Sequence, residues 1–258
     1  MIKIDISKKV ILVSAGSRGI GEAISTIFSE NETNTVIIFG RNRKNYLSSK
    51  LSKKKNVFFY EFDATNLLNF ENFINYLISN FPKIDILVNN VGGGGRWGSE
   101  NFEETPDFTW EEVINKNLKI AYLLTQRFLP NMIKKKWGRV VTISSIYGKE
   151  AGGRPWFNVS KSAQISLMKS YSKSSRLSSK NITFNTVCPG AIETNNSAWK
   201  TLKKNKSKDY EKTILNIPRL KMGKPMDIAS YVYFLCSEYG KHINGSCITI
   251  DGGESNSF

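Results

Sequence analysis

Seven short runs of apolar, largely β-branched residues recur along the chain, and they constrain its fold more than any other feature. None of them alternates strictly between apolar and polar residues, so each is predicted to be a strand covered on both faces of a sheet. The segments between the runs are long enough for helices that make right-handed crossovers between parallel strands. The predicted strands are residues 10–13, 35–39, 57–62, 84–88, 139–143, 183–187 and 247–250.

This alternation of strands and helices predicts an α/β fold, namely a Rossmann-type doubly wound parallel sheet of about seven strands with helices on both faces. A chain of 258 residues with 40% hydrophobic content can bury one large core. No linker rich in Pro, Gly or Ser divides the chain, so we expect one domain over residues 1–258. A long, weakly periodic stretch at about residues 195–221 is interpreted as a substrate lid.

Composition narrows the location and the partners. The first residues lead directly into an apolar strand, and no run of about 18 apolar residues follows, so we expect a cytoplasmic protein without a membrane segment. The cysteines Cys188, Cys236 and Cys247 lack the spacing of a metal site, and no metal is expected. The net charge of +15 comes from scattered lysines, which favours anionic small ligands over nucleic acid as partners.

The turn after the first predicted strand is rich in small residues and opens a helix. Glycine allows a backbone to approach pyrophosphate, and a helix N-terminus offers free N–H groups to it. The position of the turn between a strand and a helix predicts a dinucleotide-binding site. Its residues are Ser14, Ala15, Gly16, Ser17, Arg18, Gly19, Ile20 and Gly21.

The end of the second predicted strand indicates which cofactor is bound. An Asp or Glu at this position accepts hydrogen bonds from the adenosine ribose of NAD, but this chain has Gly40 followed by Arg41. Together with Arg18, Arg41 offers guanidinium groups for a 2′-phosphate, so NADP(H) is favoured over NAD(H). The alternative is that Arg41 and Arg43 are ordinary surface charges.

The glycine-rich turn resembles the TGxxxGxG fingerprint of the short-chain dehydrogenase/reductase family. Gly19 and Gly21 match its last two glycines, whereas Ser14 replaces the usual Thr and Ala15 replaces the first Gly. Further motifs follow in the family's order up to Asp251-Gly252-Gly253, so the resemblance spans nearly the whole chain. Within the family, the chain resembles 3-oxoacyl-ACP reductase-like members.

The resemblance implies several further site residues. Asp63, with Ala64, matches the aspartate that contacts adenine, and Asn90 belongs to a segment similar to NNAG that lines the cofactor. Asn117 matches the helix asparagine that helps to hold a proton-relay water. A segment similar to PGxxxT beside the nicotinamide contains Pro189, Gly190, Ile192 and Thr194.

The family's catalytic residues are a Ser, a Tyr and a Lys four positions after the Tyr. Lys161 is present, but Phe157 stands at the tyrosine position, so the usual proton donor is missing. Ser144 and Ser145 both follow the fifth predicted strand. The match of residues 145–148 to the family's pattern favours Ser145 as the catalytic hydroxyl, although Ser144 has the usual spacing from position 157.

Three interpretations of Phe157 remain open. It is an engineered Tyr→Phe change that removes the acid, or it is native in an enzyme in which Tyr147, Ser145 or a water held by Lys161 delivers the proton. In the third interpretation the protein is a non-catalytic NADP-binding relative with a regulatory or assembly role. Removal of a general acid typically costs a factor of about 10² to 10⁴ in rate.

The glycine-rich loop of residues 92–98 lies at the sheet edge where ligands of such folds bind. An aromatic and cationic rim for an anionic or sugar-like carbonyl or alcohol substrate is predicted from Arg96, Trp97, Tyr147, Arg154 and Trp156. The alternative is that the tryptophans only pack the loop. A sugar intermediate, an acyl-carrier thioester and a plain ketone all fit this rim.

A homotetramer or a homodimer is expected, because family members commonly pair the helices that carry the catalytic Tyr and the preceding Asn. Apolar side chains on the corresponding segments are Phe128, Leu129, Leu167, Met168 and Tyr171.

Overall fold

A computed structural model of the chain describes residues 4–194, 203, 205 and 208–257. It contains a parallel sheet of seven strands in the order β3-β2-β1-β4-β5-β6-β7. All seven predicted strands are confirmed, with ends that differ by at most two residues. The strands are β1 (Val10–Ser14), β2 (Thr35–Gly40), β3 (Val57–Glu61), β4 (Ile86–Asn89), β5 (Gly138–Ile143), β6 (Ile182–Pro189) and β7 (Cys247–Ile250).

The central strands are apolar without alternation because both of their faces are covered. On β1, Ile11 and Val13 pack into one core cluster, whereas Leu12 between them packs into a second cluster on the other face. All three side chains are completely buried. The predicted doubly wound α/β sandwich is therefore confirmed.

Helices follow most strands and return the chain to the start of the next one. The α-helices are α1 (Gly19–Ser29), α2 (Arg43–Leu47), α3 (Leu67–Asn80), α4 (Asp107–Ile114), α5 (Ile120–Lys135), α6 (Pro155–Ser172), α7 (Ser175–Ser178), α8 (Lys208–Asn216) and α9 (Pro225–Cys236). A π-helical turn, Asn115–Lys119, joins α4 to α5. Short 3₁₀ helices are Lys50–Lys53, Phe102–Glu104, Ile146–Gly148 and Glu238–Gly240.

The strand order reverses between β1 and β4, where the chain leaves one half of the sheet and starts the other. Connections from neighbouring strands diverge at such a point and leave a crevice beyond the carboxyl ends of the strands. The loops that follow β1, β4, β5 and β6 all reach this crevice. The topology therefore places every motif identified in the sequence along one edge of the sheet.

The predicted lid at residues 195–221 lies partly outside the described residues, namely at 195–202, 204, 206 and 207. Of the remainder, residues Lys208–Asn216 form α8. Lys203 contacts Glu193, which directly precedes Thr194, with its ammonium 3.0 Å from a carboxylate oxygen. This contact holds Lys203 near the loop that follows β6.

The apolar residues from which we predicted the oligomer interface are used inside the chain. Phe128, Leu129 and Met168 are buried in the core cluster on one face of the sheet, and Leu167 and Tyr171 pack against that cluster. Phe128, Leu129 and Met168 are therefore not available to an interface, whereas Leu167 and Tyr171 stay partly exposed, and the oligomer stays a prediction. Within the described part of the chain, no helix is long and apolar enough to cross a membrane.

Candidate active site

The glycine-rich turn between β1 and α1 is tightly packed. Gly19 has a φ of +58°, and Ala15 also adopts the left-handed region with a φ of +51°, which is costly for a residue with a Cβ. A Cβ on Gly21 would lie 2.6 Å from Nδ2 of Asn90, and one on Gly16 would lie 2.6 Å from the Ile38 side chain. The turn is therefore closely packed on its inner side, and Ala15 adopts a left-handed φ at the position of the fingerprint's first glycine.

Ser14 supports this turn from below instead of facing the crevice. Its side chain is completely buried, and its hydroxyl accepts hydrogen bonds from the backbone N–H groups of Asn90 (2.7 Å) and Val91 (3.0 Å). The Asn90 amide in turn donates to the carbonyl oxygens of Ser14 and Ala15. These bonds join the end of β1 to the end of β4, so the predicted cofactor contact of Ser14 is corrected to a supporting role.

A cavity of about 350 Å³, called here the adenosine-side cavity, lies beyond the ends of β1, β2 and β3. The predicted cofactor residues that line it are Ser17, Arg18, Arg41, Asp63 and Ala64. At its edge the Arg41 guanidinium lies 3.9 Å from the Asp63 carboxylate.

The absence of an acidic residue at the end of β2 has a steric reason in this cavity. A Cβ on Gly40 would lie 2.8 Å from the Ser17 hydroxyl, so a side chain at position 40 would displace Ser17. Lys116, which the sequence analysis missed, also lines the cavity. Its ammonium lies over the Trp97 ring at 4.0 Å, and burial lowers its pKa, with a further lowering from Arg41.

A second cavity of about 370 Å³, the reaction-side cavity, lies beyond β4, β5 and β6. It shares Gly92 with the adenosine-side cavity, so the two adjoin at the crevice. The predicted site residues that line it are Ile20, Asn90, Ser145, Tyr147, Phe157, Lys161, Pro189, Gly190, Ile192 and Thr194.

The two serines after β5 differ in their hydrogen bonds. The Ser144 hydroxyl is buried and donates to the Lys161 carbonyl oxygen at 2.9 Å. The Ser145 hydroxyl accepts from the Tyr147 backbone N–H at 3.2 Å and is half-buried. The hydroxyl of Ser144 therefore secures α6, while that of Ser145 is the better placed to meet a ligand.

Lys161 lies on α6 one turn after Phe157. Pro155, at the first position of this helix, suits its start because the proline nitrogen has no N–H to leave unpaired. The ammonium of Lys161 donates to the Ile143 carbonyl oxygen at 3.0 Å and lies 5.6 Å from the centre of the Phe157 ring. Burial lowers the pKa of Lys161 to about 8.

Asn117 lies in the π-helical turn, and its side chain is engaged by protein groups. Its amide donates to the carbonyl oxygens of Gly93 and Val113, both at 2.8 Å, and its Oδ1 accepts from the Gly93 N–H. Its backbone carbonyl oxygen accepts from the Gln164 amide at 2.7 Å. Asn117 therefore fixes the loop after β4.

The predicted substrate rim is only partly assembled at the cavity. Tyr147 lines the reaction-side cavity, but Trp156 is completely buried and packs edge-on against Trp110 and Phe102, so its assignment to the rim was wrong. The Arg154 guanidinium pairs with Glu100 at 3.2 Å. Two predicted rim residues remain. The ring of Trp97 lies under the Lys116 ammonium, and Arg96 is close enough for its charge to act on Tyr147.

Sequence reasoning also missed Gln164 and Glu254. Gln164 is completely buried, and its side-chain oxygen Oε1 accepts a hydrogen bond from the Lys161 ammonium at 3.1 Å. Its position three residues after Lys161 on a helix was the available signal, because such residues share a face. Glu254 lines the reaction-side cavity, accepts from the Ala191 N–H and has a pKa raised by burial.

Comparisons with known proteins agree with this architecture. The family model described as enoyl-(acyl carrier protein) reductase matches residues 14–255. The 3-oxoacyl-[acyl-carrier-protein] reductase FabG of Aquifex aeolicus is 34% identical and covers 98% of this chain and 99% of its own. The FabG of Thermotoga maritima is 30% identical, and the match covers 95% of this chain and 97% of that protein.

Solved structures resemble the chain along its whole length. YwfH, described as an NADPH-dependent reductase involved in bacilysin biosynthesis, has a TM-score of 0.84 at 25% identity and covers 98% of this chain and 100% of its own. ElxO, solved with NADP bound, has a TM-score of 0.83 at 29% identity and covers 96% and 98%. Because fold, motif order and relatives all agree over nearly the full length, the chain belongs to the short-chain dehydrogenase/reductase family of oxidoreductases.

Proposed function

We propose that this oxidoreductase interconverts a ketone and a secondary alcohol with NADP(H) as its cofactor. The observation that carries the proposal is the pair of adjoining cavities, which share Gly92 at the reversal point of the sheet. One end of this crevice has two arginines and the other has the buried ammonium of Lys161 beside Ser145. An extended dinucleotide whose phosphorylated end and reactive end differ in chemistry suits such a crevice.

The residues present fit the cofactor. The turn from Ala15 to Gly21 has no room for a Cβ at Gly16 or Gly21, so its backbone packs closely on the sheet and would offer its N–H groups to a pyrophosphate. Arg18 and Arg41 would hold the 2′-phosphate, and Asp63 and Ala64 would lie beside the adenine. Lys161 and the segment from Pro189 to Thr194 would hold the nicotinamide half. The names of YwfH and ElxO, which mention NADPH and NADP, support this choice.

In the proposed reaction the bound cofactor supplies a hydride. Ser145 donates a hydrogen bond to the substrate oxygen, while the Lys161 ammonium stabilises the negative charge that develops there. The ring of Phe157, which would lie 3.4 Å from a Cβ on Gly95, would help to exclude water from this part of the cavity. Membership in a family of oxidoreductases favours the two interpretations of Phe157 in which the protein is an enzyme over the one in which it is a non-catalytic relative.

A spectrophotometric assay of NADPH oxidation tests the proposal. The panel comprises a 3-oxoacyl thioester, which the names of the FabG relatives put first, a keto sugar and a plain ketone. We expect ketone-dependent oxidation of NADPH with at least one of the three classes. Tight binding of NADPH without turnover of any of them would contradict the enzymatic function and support the non-catalytic one.

A further inference from the structure

A buried lysine faces the adenosine-side cavity without an anionic partner. Lys116, in the π-helical turn between α4 and α5, is 7% exposed, and it lines this cavity. Within the described part of the chain its ammonium makes no hydrogen bond or ion pair, and it lies 4.0 Å from the centre of the Trp97 ring. An ammonium has three N–H donors, and an aromatic face satisfies only one side of it, so donors remain for a ligand.

The carboxylate at the usual pairing distance along the helix does not reach this lysine. Glu112 stands four residues before Lys116, the spacing at which Glu and Lys commonly pair on an α-helix. The π-helical turn begins at Asn115 and closes its hydrogen bonds over five residues instead of four, so this alignment is lost. Both residues are described, Glu112 is exposed and no ion pair joins them, while the ammonium turns to Trp97 and the cavity.

The charges around the cavity suit an anion that carries about two negative charges. Among the described residues that line it, three are cations, Arg18, Arg41 and Lys116, and one is a carboxylate, Asp63, which leaves a net charge of +2. A phosphate monoester carries about −1.5 to −2 at neutral pH. The pKa of Lys116 is lowered first by burial and next by the charge of Arg41, so these two cations repel each other when no anion lies between them.

We propose that Lys116 is a third cationic residue of the cofactor site and that its ammonium binds the 2′-phosphate of NADP(H) together with Arg18 and Arg41. The inference rests on the proposed function, which gives this phosphate to the two arginines. Lys116 differs from both in its burial, because Arg18 is exposed and the Arg41 side chain is 56% exposed. Water and salt screen a buried charge less than an exposed one, so Lys116 contributes more to the choice of NADPH over NADH than Arg41 does.

The same burial makes this lysine costly while the phosphate is absent. An ammonium that leaves water loses hydration, and the Trp97 ring compensates for only part of that loss. A bound 2′-phosphate supplies the missing partner, whereas the 2′-hydroxyl of NADH carries no charge. The protein without nucleotide is therefore less stable with Lys116 than with an apolar side chain of the same length, and binding of NADPH reverses this order.

The test compares the wild type with Lys116→Met, which keeps the length of the side chain and removes its charge. Calorimetric titrations measure the Kd for NADPH and NADH, and for adenosine 2′,5′-bisphosphate and AMP, which differ only in the 2′-phosphate. We expect the variant to raise the Kd for NADPH and for the bisphosphate by at least about tenfold, and to change the Kd for NADH and AMP less than about twofold. The effect should persist at high salt, because the ammonium is buried.

Lys119→Met is the matched control for net charge. Lys119 ends the same π-helical turn but does not line the cavity, so all four Kd values should stay nearly unchanged in this variant. A denaturant titration without nucleotide gives a second readout that does not depend on binding. In it Lys116→Met should unfold at the same or a higher denaturant concentration than the wild type.

Three results would overturn the role of Lys116 while binding of NADPH by the wild type stands. They are an equal rise in the Kd for AMP and for the bisphosphate, no rise in either, and a lower denaturant midpoint for Lys116→Met. The first would place the lysine beside a part that both nucleotides share, and the last would make it a structural residue of the ligand-free fold. A wild type that binds NADPH no more tightly than NADH would instead refute the cofactor of the proposed function.

Discussion

Replacement of Arg41 by Ala tests the cofactor choice most directly. The Arg41 side chain is 56% exposed at the edge of the adenosine-side cavity and has Asp63 as a weak partner at 3.9 Å. A guanidinium about 4 Å from one unit of phosphate charge contributes about 1 kcal/mol in water-like surroundings, and a phosphate carries about 1.5 to 2 such charges. Salt screening and the Asp63 carboxylate reduce this sum to about 1 kcal/mol, which corresponds to a roughly fivefold change in Kd.

The assay is a fluorescence titration with NADPH and with NADH at low and high salt. Arg41→Ala is expected to raise the Kd for NADPH about fivefold, to leave the Kd for NADH nearly unchanged and to have less effect at high salt. Arg43→Ala is the matched control. It removes the same charge two residues further along the chain, from a side chain that does not line the cavity. If both variants change the ratio of the two Kd values equally, the preference reflects net charge and the phosphate-clamp argument fails.

Three further variants test other parts of the site. Phe157→Tyr is expected to raise kcat by about 10² to 10⁴ because it restores a positioned acid one helical turn from Lys161, whereas an unchanged kcat would show that the wild type has another proton donor. Ala15→Gly should raise the free energy of unfolding by about 1 kcal/mol in a denaturant titration, because it relieves the left-handed φ, and a loss of stability would contradict this. Trp156→Phe should lower that free energy by about 1–3 kcal/mol and leave the KM for the ketone nearly unchanged, and the opposite pattern would place Trp156 in the substrate site.

The strands and the order of the motifs were predictable because each depends on local sequence. Apolar runs without alternation specify strands covered on both faces, and Ile11, Leu12 and Val13 are divided between two core clusters as such a strand requires. The glycine-rich turn was likewise identified from its place between a strand and a helix. Ala15, which has a left-handed φ in this turn, stands where the family's pattern has glycine.

The parts that sequence reasoning missed depend on which way a side chain points in the folded chain. A tryptophan such as Trp156 has the same local signal on a substrate rim and in a core, and only its contacts with Trp110 and Phe102 decide between them. Gln164 looks like a solvent-facing helix residue until the π-helical turn is packed against it. The choice between Ser144 and Ser145 also depended on the direction of each hydroxyl at the end of β5.

Gly92 lines both cavities, and a side chain at this position would disturb the site between them. A Cβ there would lie 2.8 Å from Asn117 Oδ1 and 3.1 Å from Lys161 Nζ, so even alanine would press on the amide that fixes the loop after β4 and on the ammonium that lines the reaction-side cavity. The strands and the arginines at the far end lie outside this contact. A single methyl group at position 92 should therefore uncouple anchoring of the nucleotide from delivery of its reactive ring, and would yield a protein that retains the coenzyme's adenosine end but cannot use it.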